Sequence, residues 1–145
     1  MAMSLSERIK EKLGAAALEI DQPLANRLYV YVPAEQIVAA VRGLYEGLGA
    51  RFAILTGLES RSGIELLYHF CFDSEGMVVT LKTKVPTAFP EIDSIGPVLS
   101  GALWIEREVH DLLGVNFRGH PDMRRLLLSD DWPEGVYPLR RKYKL

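Results

Sequence analysis

The fold of this chain follows most directly from Ile64-Glu-Leu-Leu-Tyr-His-Phe-Cys-Phe72, the turn 73–76 and Met77-Val-Val-Thr-Leu-Lys-Thr-Lys84. Apolar side chains occupy every second position of both runs, which is the period of a strand with one buried face. The turn, Asp-Ser-Glu-Gly, consists of residue types that favour tight turns. The sequence therefore predicts a β-hairpin with one apolar face.

On either side of this hairpin, the sequence supplies further strands and helices. Residues 27–32 alternate in the same way, whereas the nearly all-apolar run 52–58 predicts a strand covered on both faces. Apolar residues at helical spacing predict helices over about 6–18, 33–48 and 97–113. The predicted fold class is α+β, with helices packed on a small mixed, largely antiparallel sheet.

The last part of the chain, 114–145, shows no helical or strand periodicity. Pro and Gly residues interrupt it, yet apolar residues such as Phe117, Trp132 and Tyr137 are too frequent for a disordered chain. The sequence therefore predicts an α+β domain over 1–113 and an extended, irregular C-terminal partner-binding segment over 114–145. We expect such a segment to bury little surface against its own domain.

Composition excludes several classes of function. The 145 residues include 17 Lys and Arg against 19 Asp and Glu, a net charge of −2, without the basic excess of a nucleic-acid-binding protein. Cys71 is the single cysteine, so this chain cannot supply the roughly four ligands of an iron–sulfur cluster or a structural zinc. The sequence also contains no glycine-rich phosphate-binding motif.

The helix predicted over 97–113 carries one acidic residue inside its apolar arc. At 100° per residue, Glu106 falls beside Val109 and Leu113, so its carboxylate faces the core. A buried carboxylate needs a partner or it takes up a proton. We expect Glu106 to be buried and paired with an Arg side chain or with backbone N–H groups of 114–145.

The opposite arc of the same helix carries three charged residues, Arg107, Glu108 and Asp111, together with Trp104. Arg107 and Asp111 are four residues apart, which is the spacing of a solvated surface ion pair. An exposed Trp among charged residues is instead typical of an interface anchor. This face is therefore a candidate partner-binding surface.

Two histidines in this region raise catalytic and metal-binding hypotheses. His110 and His120 lack the spacing of a zinc-binding helical pair. A free-standing acid/base enzyme would use Glu106 and His110, but Glu106, His110 and Asp111 do not share one helix face. A stand-alone binding module is a third class, and it would not leave an apolar, Trp-containing tail without a partner.

The order of residue types after Trp104 resembles a known family. Its elements are Glu106-Arg-Glu-Val-His-Asp111, Gly119-His-Pro-Asp122, Arg124-Arg-Leu-Leu-Leu128, Asp131-Trp-Pro-Glu-Gly135 and Pro138-Leu-Arg140. This pattern resembles the C subunit, or thirty-kilodalton subunit, of respiratory NADH:quinone dehydrogenase (complex I). The first hundred residues agree more loosely, in the order of their helices and strands.

The resemblance implies a non-catalytic subunit of the peripheral arm, docked on the large hydrogenase-like D subunit and adjacent iron–sulfur subunits. It implies a place on the cytoplasmic side of the cell membrane, with only indirect membrane contact. It also implies no cofactor in this chain; iron–sulfur clusters, flavin and quinone, or nickel–iron, belong to partner subunits. The residues expected to bind partners are Trp104, Arg107, Glu108, Asp111, His120, Arg124, Arg125, Trp132 and Arg140, with Glu106 as a structural residue.

The length of the chain leaves two kinds of complex open. The chain is short for a respiratory subunit of this type, and short relatives occur in energy-converting, membrane-bound nickel–iron hydrogenases. The electron acceptor is therefore quinone in one alternative and protons in the other. The sequence identifies neither the electron donor nor the pumped ion.

Overall fold

The computed structural model describes residues 2–144, in which three α-helices and seven strands alternate with short 3-10 or π-helical turns. The helices are α1 (Leu5–Leu13), α2 (Ile37–Arg42) and α3 (Leu103–Leu113). The strands are β1 (Glu19–Leu24), β2 (Arg27–Tyr31), β3 (Arg51–Ser60), β4 (Gly63–Phe72), β5 (Met77–Val85), β6 (Glu91–Asp93) and β7 (Asn116–Arg118). Within the described residues, no helix combines the length and apolar character needed to cross a bilayer.

Five strands form one mixed sheet in the order β1-β2-β5-β4-β3, in which only the β2–β5 pairing is parallel. The predicted hairpin is β4 and β5, with Ile64 opposite Val85 and Phe72 opposite Met77. The even-numbered side chains of β4 are fully or nearly fully buried, as the alternation predicts. The α+β fold with a largely antiparallel sheet is thus confirmed.

Helix α3 packs directly on strand β3 at a glycine. A Cβ atom added to Gly57 would lie 2.7 Å from a methyl group of Leu113 and 3.2 Å from one of Val109. A side chain at Gly57 would therefore push the helix away from the sheet, because protein interiors leave no room for an additional methyl group at that distance. The close approach of α3 to β3 fixes the position of the helix that carries Trp104, Arg107, Glu108 and Asp111.

The prediction that 52–58 is covered on both faces is wrong. β3 is the last strand of the sheet, and Leu55 is its one fully buried residue, whereas Ile54 and Leu58 are 48% and 41% exposed. An uninterrupted apolar run shows that a strand is hydrophobic but not which element covers it. Here the second face of β3 stays open within the described part of the chain.

Other boundaries also differ from the sequence prediction. The first helix ends at Leu13 because Gly14 has a positive φ of 55°, and α3 begins only at Leu103, after the 3-10 turn Ser100–Ala102. The sequence does not predict strand β1, because nearly all its residues are exposed and leave no apolar alternation to detect.

The segment 114–144 does not lie free of its domain. It begins with β7, which pairs in parallel with β6, and its residues Val115 and Phe117 are buried in the core. Farther along, the backbone N–H of Leu139 donates to the carbonyl of Leu112 at the end of α3. The expectation that this segment buries little surface against its own domain is therefore wrong.

The turn from α3 into β7 depends on Gly114, whose φ of 77° is in the left-handed region. We expect Gly114→Ala to lower the free energy of unfolding by about 1–2 kcal/mol through backbone strain alone. A clash adds to this loss, because a Cβ atom there would lie 2.5 Å from the Tyr137 ring.

The matched control is Gly101→Ala, since a Cβ atom at Gly101 meets nothing within 4 Å and no positive φ is required there. Its stability is expected to stay within about 0.5 kcal/mol of the wild type in urea unfolding. Equal losses for the two variants would contradict this account of the turn.

Candidate partner-binding surface

The carboxylate of Glu106 is fully buried at the first turn of α3. Its Oε1 accepts a 2.6 Å hydrogen bond from the Ser94 hydroxyl, and its Oε2 accepts a 2.9 Å bond from the backbone N–H of Ile95. Burial raises the pKa of Glu106 above its ordinary value, and these two hydrogen bonds oppose that rise. The predicted burial is correct, but the partners precede the helix and do not come from 114–144.

Asp111 is buried as well, contrary to its predicted position on a solvated face. It is only 3% exposed, and its Oδ2 accepts the backbone N–H groups of Leu126, Leu127 and Leu128 at 2.9, 2.9 and 3.2 Å. The helical wheel places Asp111 opposite the core correctly, but segment 124–128 returns over that face. Asp111 therefore binds the protein's own backbone and is not an exposed contact for a partner.

Arg107 binds the same returning segment. Its Nε donates to the carbonyl of Arg124 at 2.8 Å, and its Nη2 donates to the carbonyl of Arg125 at 2.9 Å. The surface pair predicted between Arg107 and Asp111 is therefore replaced by two separate sets of contacts with the backbone of 124–128. Together these contacts satisfy backbone groups of an irregular segment, which otherwise has no ladder to supply partners.

The two histidines of this region, His110 and His120, also form hydrogen bonds with backbone atoms. His110 donates through Nδ1 to the carbonyl of Val115 at 2.8 Å. His120 donates through Nε2 to the carbonyl of Leu103 at 2.8 Å and accepts at Nδ1 from the N–H of Asp122. This geometry does not support the acid/base hypothesis, because Glu106 is sealed in the core and His110 contacts a different segment.

Arg140 and Trp132, predicted to bind a partner, also make intramolecular contacts. The Arg140 side chain is only 17% exposed; it donates to the carbonyls of Leu113 and Thr87 and lies 3.7 Å from the Glu59 carboxylate. The indole N–H of Trp132 donates to the carbonyl of Val136 at 2.8 Å. Arg140 thus fastens the end of the chain to α3 and β3 and is not a free surface charge.

Trp104 is largely exposed, since 68% of its surface is accessible to solvent. It lines a groove of about 650 Å³ between the start of α3 and the open side of β3. The half-buried Glu108 lies one turn farther along the helix in the same wall, and Ile54 and Leu126 supply apolar surface. We call this feature the Trp104 groove; its lining residues are Tyr45, Arg51, Phe52, Ala53, Ile54, Leu99, Gly101, Ala102, Trp104, Ile105, Glu108 and Leu126.

The sequence indicates Trp104 and Glu108 but not Tyr45, Ile54 and Leu126 as parts of one surface. These three residues come from the end of the second helical segment, from β3 and from the C-terminal segment. No local spacing connects them, so only the folded chain brings them together. The apolar residues of β3 are the one signal that sequence patterning offers, and that signal predicts burial instead.

Arg124 and Arg125 lie at the outer side of the segment that Asp111 holds. The side chain of Arg124 is 83% exposed and forms a bidentate pair with Asp122, in which Nε donates to Oδ1 and Nη2 donates to Oδ2. This pair holds the pKa of Asp122 well below its usual range. Arg125 donates through Nη1 to the carbonyls of Ser129 and Asp130. Arg124 therefore presents its guanidinium group openly to solvent.

The exposed part of this region is a candidate contact surface for other chains. Most of the polar residues singled out after Trp104 hold the protein's own C-terminal segment, and an open apolar groove with an exposed Trp stays beside them. Exposed apolar surface of this kind marks interaction sites. This class of surface is expected for a subunit of a larger assembly.

The chain belongs to the family described as "Respiratory-chain NADH dehydrogenase, 30 Kd subunit", whose pattern matches residues 30–145. The C subunit of the NADH-quinone oxidoreductase of Geobacter sulfurreducens is 34% identical over 143 residues, 95% of this chain and 86% of the relative. The C/D subunit of the Phocaeicola vulgatus enzyme is 38% identical over 118 residues, 79% of this chain and 22% of the relative. Formate hydrogenlyase subunit 5 of Escherichia coli is 35% identical over 120 residues, 80% of this chain and 21% of the relative.

A solved structure agrees with this family. The chain superposes with a TM-score of 0.83 and 28% identity on a chain of the membrane-bound sulfane sulfur reductase, an archaeal respiratory membrane complex. The superposition covers 97% of this chain and 84% of that chain. The family resemblance identified from the sequence after Trp104 is therefore confirmed.

Replacing Glu106 tests the buried carboxylate. We expect Glu106→Gln to lower the free energy of unfolding by about 1 kcal/mol at neutral pH, because the amide has one acceptor oxygen where the carboxylate uses two. Glu108→Gln is the control on the same helix, and its stability is expected to stay within about 0.5 kcal/mol of the wild type. Equal losses for the two variants would contradict the role of Glu106.

The difference in free energy of unfolding between the wild type and Glu106→Gln is expected to change with pH in one direction. The folded-state pKa of Glu106 is raised above 4.5, so the folded protein binds the proton more tightly than the unfolded chain. Wild-type stability relative to Glu106→Gln therefore decreases as the pH rises from about 4.5 through the raised folded pKa, and is constant above it. Urea unfolding of both proteins across this range measures the difference, and a difference that increases with pH would contradict the assignment.

Replacing Asp111 tests the attachment of the C-terminal segment. Asp111→Ala leaves three backbone N–H groups without an acceptor, so we expect local opening of 124–128 to become at least about tenfold more frequent. Limited trypsin digestion after Arg124 and Arg125 measures this opening. Cleavage no faster than in Glu108→Ala, the control on the same helix, would show that Asp111 does not hold the segment.

Proposed function

We propose that the protein is a non-catalytic peripheral-arm subunit of an ion-translocating NADH:quinone oxidoreductase, and that it docks on the large hydrogenase-like D subunit through the Trp104 groove. The observation that carries this proposal is the groove itself: a 68% exposed Trp beside about 650 Å³ of mostly apolar space, in a chain of the thirty-kilodalton subunit family. Trp residues dominate the binding energy of many protein interfaces.

The Phocaeicola vulgatus relative supports D as the partner. One chain of that organism carries the designation C/D, and the part similar to this protein makes up 22% of it. Two subunits joined in one chain stay at a high effective concentration, which favours a contact between them. By the same logic, a subunit on a separate chain needs an interface strong enough to replace that covalent link.

The composition of the chain supports a role without a cofactor. The single Cys71 and the backbone contacts of His110 and His120 offer no ligand set for a cluster, so we place iron–sulfur clusters in neighbouring subunits. We place flavin and quinone there as well, because the family resemblance implies it. In this proposal the protein holds those subunits in place on the cytoplasmic side of the cell membrane, and contacts the membrane only through them. The net charge of −2 does not favour nucleic acid as a partner.

A second candidate function rests on a specific similarity. The Escherichia coli relative is named formate hydrogenlyase subunit 5. The same domain is therefore a candidate for the equivalent small subunit of an energy-converting membrane-bound hydrogenase. In both alternatives the docking surface is the same, and the electron acceptor differs.

The docking proposal is tested by Trp104→Ala in the full chain, with the dissociation constant for the purified D subunit as the measurement. Removing a buried interface Trp is expected to weaken binding at least about thirtyfold. Phe89→Ala is the control, because Phe89 is 81% exposed and does not line the Trp104 groove. Binding that is unchanged by Trp104→Ala would exclude the groove as the interface.

The two kinds of complex are distinguished in membranes from cells that lack this protein. If the first proposal is correct, these membranes lose NADH-dependent quinone reduction and regain it when the protein is restored. Loss of hydrogen evolution with normal quinone reduction would instead favour the hydrogenase.

A further inference from the structure

Three arginines converge beside the segment 124–130. Arg107, Arg124 and Arg125, together with Asp130, line a pocket of about 430 Å³. We call it the arginine pocket. Arg107 follows Trp104 by one helical turn, and Leu126, a residue of the Trp104 groove, directly follows Arg125. The arginine pocket and the Trp104 groove are therefore neighbours along α3.

Two of the three guanidinium groups are held in place by backbone carbonyls. Arg107 donates to the carbonyls of Arg124 and Arg125, and Arg125 donates to those of Ser129 and Asp130. Arg124 forms its bidentate pair with Asp122. Because backbone carbonyls already order Arg107 and Arg125, ligand binding costs these two side chains little additional conformational entropy.

Each guanidinium group keeps unused donors. Arg107 and Arg124 each use Nε and Nη2, which leaves Nη1, whereas Arg125 uses Nη1 and leaves Nε and Nη2. Among residues 2–144, no acceptor takes up these remaining donors. An arginine has five N–H donors, and adjacent pairs of them match the two oxygens of a carboxylate.

We propose that the arginine pocket is a carboxylate-binding site for Asp or Glu side chains of the D subunit, placed beside an apolar segment of the same subunit in the Trp104 groove. This inference rests on the proposed function and specifies the chemistry of the partner's surface. The partner segment is expected to present an apolar side chain to Trp104 and an acidic one to the arginines.

The local charge favours a protein carboxylate over an anionic membrane surface. The three guanidinium groups lie near three carboxylates, those of Asp122, Asp130 and Asp131, so the local net charge is about zero. Attraction to an anionic lipid surface requires clusters of about four to eight basic residues. The basic residues that line the arginine pocket are all arginines. The planar guanidinium group of an arginine can bind both oxygens of one carboxylate, which a lysine cannot do.

The first test is Arg124→Ala, because the contacts of this side chain are with Asp122 alone and its loss leaves the fold intact. We expect the dissociation constant for purified D subunit to rise about tenfold or more, with a weaker dependence on NaCl concentration. Arg124→Lys keeps the charge without the fork and is expected to recover only part of the affinity. Arg42→Ala is the matched control, since Arg42 is an exposed arginine paired with Glu46 on a different helical segment.

The second test is a variant that is expected to increase the affinity for the D subunit. Asp130→Asn removes the one acidic side chain that lines the arginine pocket and keeps the backbone carbonyl that Arg125 binds. We expect tighter binding of the D subunit, by about threefold, because repulsion between Asp130 and the partner's carboxylate is lost. A purely structural role of this segment would not produce tighter binding.

The outcomes separate this inference from the proposed function. If Trp104→Ala weakens binding but Arg124→Ala and Asp130→Asn leave it unchanged, the docking proposal stands and the carboxylate site is wrong. If the wild type does not bind the D subunit, the proposed function itself fails. Vesicles of equal parts phosphatidylglycerol and phosphatidylcholine supply the remaining probe: binding of the wild type that Arg124→Ala abolishes would show a lipid-phosphate site and overturn the assignment.

Discussion

The carboxylate of Asp111 accepts three consecutive backbone N–H groups, and the candidate contacts of segment 124–128 depend on this interaction. Segment 126–128 has no strand or helix to satisfy its donors, and buried donors without acceptors destabilise a fold. The buried, charged acceptor removes that cost and fixes the path of the chain. Leu126 thereby reaches the Trp104 groove, and Arg124 and Arg125 reach the arginine pocket.

Glu106 acts in the same way toward the other end of α3. It holds Ser94 and Ile95, which precede the helix, whereas Asp111 holds residues that follow it. Two buried acids on one short helix thus organise two irregular segments that have no hydrogen-bond ladder of their own. Directed hydrogen-bond donors offset part of the hydration that each carboxyl group loses on burial. At Glu106 the loss of hydration remains the larger effect, since its pKa is raised.

Most charged residues of this region are occupied within the protein itself. Arg107, Asp111 and Arg140 bind the protein's own backbone, so few of the charges in the C-terminal pattern remain for a partner. What remains is an exposed Trp in an apolar groove and a partly satisfied group of arginines. Apolar anchors supply affinity, and ordered arginines supply orientation and partner choice.

Local periodicity is sufficient to predict the β4–β5 hairpin, the end of α3 at Gly114 and the burial of Glu106, because each depends on residues close together in the chain. The family is also recognisable from the sequence, since it is marked by the order and spacing of residue types after Trp104. The open edge at β3 and the covering of Asp111 by segment 124–128 became visible only in the folded molecule. Periodicity shows that a face is apolar or polar, but the element that covers it comes from a distant part of the chain. The contacts of Asp111 span 15 to 17 residues across an irregular segment, and no sequence period describes them.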